Sequence, residues 1–560
     1  MNKLKTHRKG RFWRRLLRVI GVFFLLIAIF FLYLVWVSRV SPPKVDDLSS
    51  LEWKRSEPDT GLYTINNNWF RKSNSGLYEL YVEGKPFERG VVNGKLTEEL
   101  VKSQEDYFSA QINKMVPSSF YRSFLKYFIG FFNRKLTKNV SEEYKEEIYG
   151  VSRSASDNYG YIGTKYQRIL NYHSAHDIGH ALQNLALVGC TSFGTWGAAS
   201  ADSTMIIGRN FDFYVGDDFA KNKIVEFINP SEGHKFMSVS WGGFIGVASG
   251  MNEKGLTVTI NAAKSDLPSG SATPVSLVAR EILQYAANIN EAIAIAKSRK
   301  MFVSESFLVG SAADNKAVII EKTPDSLEVY DPGTDHILCT NHFQSNGLGQ
   351  LKSNKEQKDE SASVYRYQRL TELLGEHEKN TVQNTVNILR DTRGLHNANI
   401  GLGNEKALNQ LIAHHSIVFE PQKLLVWVST SPWQLGEYVA YDLKKVFALQ
   451  GMKQNREICE AALNIAADSF LLTSQFKNFE LFHNMKQRIL DGQVVNADSV
   501  VLVNPDFYNA YVLAADYLYK KKDYKKALDY YEMALTKEIA TVPEKKHIEE
   551  RIQKCKTKLQ

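Results

Sequence analysis

The chain's four cysteines, Cys190, Cys339, Cys459 and Cys555, stand far apart with no CxxC pair. Neither a disulfide framework nor a thiolate zinc site follows from that spacing. Cys190 is set apart by its surroundings. It sits in Gly189-Cys190-Thr191-Ser192, and Gly208-Arg209-Asn210-Phe211-Asp212-Phe213 follows soon after. Farther on come Met251-Asn252-Glu253-Lys254-Gly255-Leu256, Asn261 and Cys339-Thr340-Asn341-His342-Phe343. A thiol with a reference pKa of about 8.5 is mostly protonated at neutral pH and needs a base. No histidine lies close to Cys190 in sequence. An α-amino group, with a reference pKa of about 7.7–8.0, would serve if the bond before Cys190 were cut. Nucleophile and base would then share one residue. Gly189 leaves room for the sulfur to approach the preceding carbonyl. An N-to-S acyl shift and thioester hydrolysis would free the new N-terminus.

In order and type these pieces resemble the cysteine N-terminal-nucleophile hydrolases. That group includes bile-salt hydrolase, penicillin V acylase, acid ceramidase and acyl-CoA:6-aminopenicillanate acyltransferase. The Thr340-Asn341-His342-Phe343 form of the last motif and the long segment before Cys190 point to the acyltransferase-like branch. The resemblance covers roughly residues 75–445. It implies an αββα sandwich, two antiparallel sheets between helical layers, with Cys190 starting an inner strand. It implies cleavage between Gly189 and Cys190, and attack by Cys190 on an N-acyl amide, with transfer to water or an amine. No cofactor is implied, though acyl-CoA could enter as co-substrate. Asp212 would accept from the Cys190 ammonium, and Arg209 would lie near the sulfur and favour thiolate. Asn341 would donate to the oxyanion, and Asn261 would be its second donor or hold the acyl carbonyl. The Cys190–Arg209 gap is a few residues longer than the family's usual spacing, which fits a loop at 196–203. Asn261 lies one residue closer to the Gly255-Leu256 turn than in bile-salt hydrolases.

Other chemistry is weighed against this. Leu187-Val188-Gly189-Cys190 spells a lipobox, but about 150 residues too late to follow a signal segment. His173, His176, Asp177 and His180 share one face of a possible helix and could hold zinc, although such a run is more often a packed polar face. His342, His414 or His415 could serve an ordinary Cys–His hydrolase. The reading from a different class is a non-catalytic exported binding module.

These residues need elements to hold them. With 560 residues, 44% hydrophobic and 23% charged, the chain allows three or four globular units and a large core. The net charge of +8 does not signal nucleic acid, because residues 1–18 alone hold eight Lys/Arg and no acid. Nineteen apolar residues follow, Val19 to Val37. That length spans a bilayer core of about 30 Å, and the preceding cations put the tail in the cytoplasm and the body outside. A cleaved signal peptide is the alternative.

The expected organisation is a basic tail (1–18), a transmembrane helix (19–38), a helix-rich segment (39–189), a catalytic unit (190–450) and a helical end (451–560). Strands are expected at 76–83, 205–209, 236–241 and 306–330, and as pairs within 244–263 and 415–430. Helices are expected at 96–115, 141–158 and 274–299. In residues 508–541, Tyr511, Ala514, Ala515, Leu518, Ala527, Tyr531 and Ala534 fit one tetratricopeptide-like helix pair. An earlier degenerate pair is expected at 456–492. The expected partners are a small N-acylated substrate, the membrane through residues 19–37, and a protein at the C-terminal helices.

Overall fold

The computed structural model describes residues 2–116, 118–175, 177, 189–213, 216–264 and 270–560. Strands are numbered in chain order. The larger sheet has eleven: β1 (Ser56–Asp59), β2 (Leu62–Ile65), β3 (Asn68–Lys72), β4 (Tyr78–Gly84), β7 (Ile224–Pro230), β8 (Phe236–Ser240), β9 (Ser249–Asn252), β10 (Leu256–Ala262), β11 (Glu305–Ser311), β12 (Lys316–Lys322) and β13 (Leu327–Tyr330), adjacent in that order. The smaller has six, in the order β14 (His336–Cys339), β5 (Thr191–Thr195), β6 (Ile206–Phe211), β15 (His415–Glu420), β16 (Leu425–Ser429) and β17 (Tyr438–Asp442).

Strand alternation builds the layers. In β6, Ile207 faces the other sheet and joins Phe227, Met237, Leu308, Ile417 and Val428 in the inter-sheet core. Its neighbour Ile206 points the other way, to Phe193, Leu370, Val386 and Leu389, under the helices Ser363–Gly375 and Val382–Leu389. On the far side of the larger sheet, Val258, Ile260 and Phe307 pack with Val278, Ile282 and Ala292 of the helices Val275–Tyr285 and Ile289–Ser298. The result is helix, sheet, sheet, helix. Each fully buried Ile, Leu or Phe here contributes about 1.5–3 kcal/mol relative to exposure.

The layers differ from the expected pair of antiparallel sheets in one respect. β4 and β7 run parallel, from Tyr78 opposite Ile224 to Gly84 opposite Pro230. Segment 39–189 therefore supplies four strands as well as helices, and lies hydrogen-bonded within the sheet. A buried ionic cluster adds to this join. Glu147 of the helix Glu142–Ser152 lies 2.6 Å from Arg89 and 3.2 Å from Arg280 of the helix Val275–Tyr285.

The N-terminal helix Asn2–Val37 contains the one stretch, Trp13–Val37, that is long and apolar enough to cross a membrane among the described residues, with mean hydropathy 2.9. Its distal end packs on the helix Ser119–Phe132, where Phe31 meets Tyr127 and Tyr33 meets Phe131.

The C-terminal region is all-α: Ser474–Leu490, Ala497–Leu502, Tyr508–Lys520, Tyr524–Ala534 and Val542–Leu559. The earlier helix pair expected at 456–492 is not there. That stretch holds one helix, Ser474–Leu490, after two short 3₁₀ turns at Ala461–Leu463 and Ser469–Leu472. Its Phe476, Phe479 and Phe482 are buried with Tyr508 and Tyr511, so they pack on the later helices without a partner helix of their own. Leu411 joins this same cluster. Two cross-links fix the loop at 399–411 to it. Asn404 Nδ2 donates to Glu538 O at 2.8 Å, and Asn504 Nδ2 donates to Leu402 O at 2.8 Å.

Candidate active site

Cys190 directly precedes β5, second from the edge of the smaller sheet, and its side chain is only 1% exposed. In β6 alternation sends Ile207 and Arg209 between the sheets, and Gly208 and Asn210 toward the helices. Gly208 is required there, because a Cβ would overlap Thr385 of the helix Val382–Leu389. Asn210 Nδ2 donates to Leu389 O and Leu408 O, both at 2.9 Å, fixing the end of that helix. This part of the motif is architecture.

Arg209 crosses to the larger sheet. Its Nη1 donates to Ala248 O at 2.9 Å and to Ser249 Oγ, and its Nη2 donates to Ile260 O. The same Nη2 lies 3.6 Å from Cys190 Sγ. Burial pushes the Cys190 thiol up to about 11, and Arg209 pulls against that shift. The uncut chain therefore holds a protonated thiol.

Asp212 is fully buried, and among the described residues neither carboxylate oxygen has a hydrogen-bond partner. Burial raises its pKa to about 7, with Arg366 and Arg209 opposing. Its backbone carbonyl accepts from Gly189 N at 3.0 Å, so it lies beside the bond between Gly189 and Cys190. A charged group left unsatisfied in the interior costs several kcal/mol. A cation added next to it would remove that cost.

Asn341 is held by three neighbours. Its backbone N donates to Ser363 Oγ at 2.8 Å, its Oδ1 accepts from Arg366 Nη2 at 2.6 Å, and its Nδ2 donates to Ala262 O at 2.9 Å. Among the described contacts that amide nitrogen makes no second hydrogen bond. Asn261 is engaged within the protein. Its Oδ1 accepts from Ser192 Oγ at 2.9 Å, and its Nδ2 donates to Cys339 O at 3.1 Å and Thr340 O at 3.3 Å. The amide nitrogen thus faces the backbone just before Asn341. Asn252 is likewise structural: it accepts from Lys254 N and Leu256 N, both at 3.0 Å, and shapes the turn between β9 and β10.

Arg366 went unrecognised in the sequence. It is buried, and its Nη1 donates to Cys190 O at 2.7 Å and Thr191 Oγ1 at 2.8 Å. Its signal was present: Arg366, Leu370 and Leu373 fall at i, i+4 and i+7, so a guanidinium occupies an apolar stripe. Glu305 is a second omission. It is fully buried with neither oxygen partnered among the described residues, and burial, then Asp177, raises its pKa well above the carboxylate range.

No histidine bonds to the thiol among the described contacts. His342 Nδ1 lies 2.8 Å from Ser363 Oγ. His414 and His415 meet through their Nδ1 atoms at 3.0 Å, and His415 Nε2 lies 2.9 Å from Ser249 Oγ. Of the possible zinc set, His173 has both ring nitrogens occupied, by Ile169 O at 2.8 Å and Ile245 N at 3.0 Å, and Asp177 Oδ2 accepts from Val275 N at 2.9 Å. His176 and His180 lie outside the described residues.

The family model for acyl-coenzyme A:6-aminopenicillanic acid acyl-transferase matches residues 199–431, a span that includes Arg209, Asp212, Asn341 and Arg366 and begins after Cys190. An uncharacterized protein of Archaeoglobus fulgidus is 26% identical over 276 residues, which is 46% of this chain and 45% of that protein. Protein dcd1A of Dictyostelium discoideum is 22% identical over 285 residues, 46% of this chain and 60% of its own. The chain thus spans about half the length of the curated relatives it matches. Among solved structures, a Caenorhabditis elegans ortholog of N-acylethanolamine-hydrolyzing acid amidase aligns at 20% identity and TM-score 0.29, over 42% of this chain and 93% of that one. Conjugated bile acid hydrolase from Clostridium perfringens aligns at 14% identity and TM-score 0.31, over 46% and 93%.

Proposed function

We propose that this chain is a self-processing cysteine N-terminal-nucleophile enzyme. It would cleave itself between Gly189 and Cys190, then act on the carbon–nitrogen bond of a small N-acyl amide through a Cys190 thioester. The observation that carries the reading is Asp212, whose carboxylate is buried and unpartnered among the described residues and whose backbone carbonyl accepts from Gly189 N, next to that bond. An α-ammonium on Cys190 would give it a hydrogen-bonding cation, beyond the through-space pull of Arg366 and Arg209. The family match over residues 199–431 supports the same class.

In the cut enzyme the Cys190 amine would take the thiol proton as sulfur attacks the acyl carbonyl, and Arg209 would favour the thiolate. Asn341, oriented by Arg366, would donate to the oxyanion. The amine product would leave with that proton, and water or an acceptor amine would release the acyl group. An acyl-CoA thioester could enter the same cycle as acyl donor. We assign Asn261 to positioning the turn at Cys339–Asn341.

The fragments 1–189 and 190–560 would remain associated, since the β4–β7 ladder and the Arg89–Glu147–Arg280 cluster both bridge them. With Trp13–Val37 spanning a membrane, the first fragment would hold the second at the outer face. We read the C-terminal helices as tetratricopeptide-like and as a site for a protein partner.

Intact mass and N-terminal sequencing of wild type and Cys190→Ala, prepared identically, test the proposal. Wild type should yield a chain starting at Cys190, and Cys190→Ala should stay whole and inactive. An active wild type of full length would overturn it.

A further inference from the structure

The carbonyl of the bond before Cys190 is already hydrogen-bonded. Gln410 Nε2 donates to Gly189 O at 2.7 Å, from a side chain that is 2% exposed. A carbonyl oxygen can only accept, so the amide nitrogen of Gln410 must face it. We propose that Gln410 is the oxyanion donor for self-cleavage, a role separate from that of Asn341 toward substrate. The assignment rests on the self-processing reading above.

The geometry supports this in three ways. The donor touches the oxygen that gains charge when Cys190 Sγ attacks the Gly189 carbonyl carbon. On that attack an S–C bond forms and the carbonyl electrons move to oxygen. The C–N bond then breaks, the Cys190 nitrogen leaves as an amine carrying the thiol proton, and water hydrolyses the thioester to the Gly189 carboxylate and the free thiol. The first and last of these steps build negative charge on the atom Gln410 contacts.

Gln410 is also fixed before reaction. Asn409 Oδ1 accepts from Leu411 N at 3.0 Å, and Asn409 N donates to Asp391 O at 2.8 Å. Leu411 adopts a left-handed φ of 55° and is anchored in the C-terminal aromatic cluster. A donor held in place needs no reorganisation as charge develops. Finally, Gly189 is the residue that admits it, because a Cβ there would overlap the Gln410 amide.

The test follows cutting of the full-length chain over time, by mass, in wild type, Gln410→Leu, Gln410→Glu and Gly189→Ala. Removing one such donor typically slows a reaction about 10²–10³-fold, so Gln410→Leu should cut that much more slowly. Gly189→Ala should also slow cutting, by pushing the amide aside. Melting temperature, compared with uncut Cys190→Ala, shows which variants are folded. Gln410→Glu gives a signature a purely structural role would not. A carboxylate opposes the oxyanion, whereas the protonated acid can donate to it. Its cutting rate relative to wild type should therefore climb as pH falls from 8 to 5. Folded Gln410→Leu cutting at the wild-type rate, or Gln410→Glu with no relative gain at low pH, would overturn the assignment. An uncut but active wild type would instead overturn the self-processing reading.

Discussion

Arg366 donates one guanidinium nitrogen to the Cys190 carbonyl at 2.7 Å and the other to Asn341 Oδ1 at 2.6 Å. One side chain thus ties the proposed nucleophile, Cys190, to the proposed oxyanion donor, Asn341. Arg366→Lys keeps the charge but cannot span both, since an ammonium lacks the planar fork. Its turnover should fall about 10²-fold or more, approaching that of Asn341→Ala. Steady-state rates of the two single variants and the double variant check this. Losses that multiply independently would separate the pair.

Asn341→Ala should lower turnover about 10²–10³-fold with little change in melting temperature, because a transition-state donor is removed. Asn341→Asp should be at least as harmful, as it sets a negative charge against a developing one. Near-normal rates in either would assign the oxyanion to another group.

The Asp212 pKa of about 7 gives a signed pH effect in the uncut chain. Its folded pKa lies above the ordinary aspartate value of 3.8, so the folded state binds the extra proton between those values. Stability then falls as pH rises from about 4 through about 7. The melting temperature of Cys190→Ala should drop between pH 5 and pH 7.5, and adding Asp212→Asn should make that drop smaller. Glu79 and Glu226, raised to about 7 and about 8, contribute to the remainder. An equal drop in both proteins would show that Asp212 does not titrate there.

For the N-terminal helix the expected topology is cytoplasmic tail and external body. Protease added outside intact cells or spheroplasts should digest the body and spare roughly the first 18 residues, as the positive-inside rule requires. A body protected from external protease would reverse the orientation.

Gly401 has a φ of +78°, and a Cβ there would overlap the Phe507 backbone. Gly401→Ala should cost about 1–3 kcal/mol from backbone strain alone. Because this loop leads to Gln410, it should also slow self-cleavage. Wild-type melting and cutting in this variant would uncouple the loop from the helices.

The strand Leu256–Ala262 was legible because it alternates cleanly after a polar turn, and Ile206–Phe211 because a short apolar start follows a polar stretch. Cys190, Arg209, Asp212 and Asn341 were legible as types in order. Arg366 and Gln410 were not, since each reaches the site from a distant element, through a contact spanning 176 and 221 residues respectively. The contacts of Asn261 were hidden for a related reason. Whether an amide is free depends on the carbonyls folded against it, here those of Cys339 and Thr340. The parallel β4–β7 pairing was also hidden, because short apolar runs do not announce their partners.

The loop that carries Gln410 is seated by helices that follow it in sequence: Leu411 by the aromatic cluster, Asn404 by Glu538. A ribosome delivers those helices after both Cys190 and Gln410. Under the self-processing proposal, the donor would be set in place only once residues through Glu538 had emerged and docked. A chain stopped short of those helices would then keep its peptide bond, and cutting would wait on the docking of a region far from the bond itself.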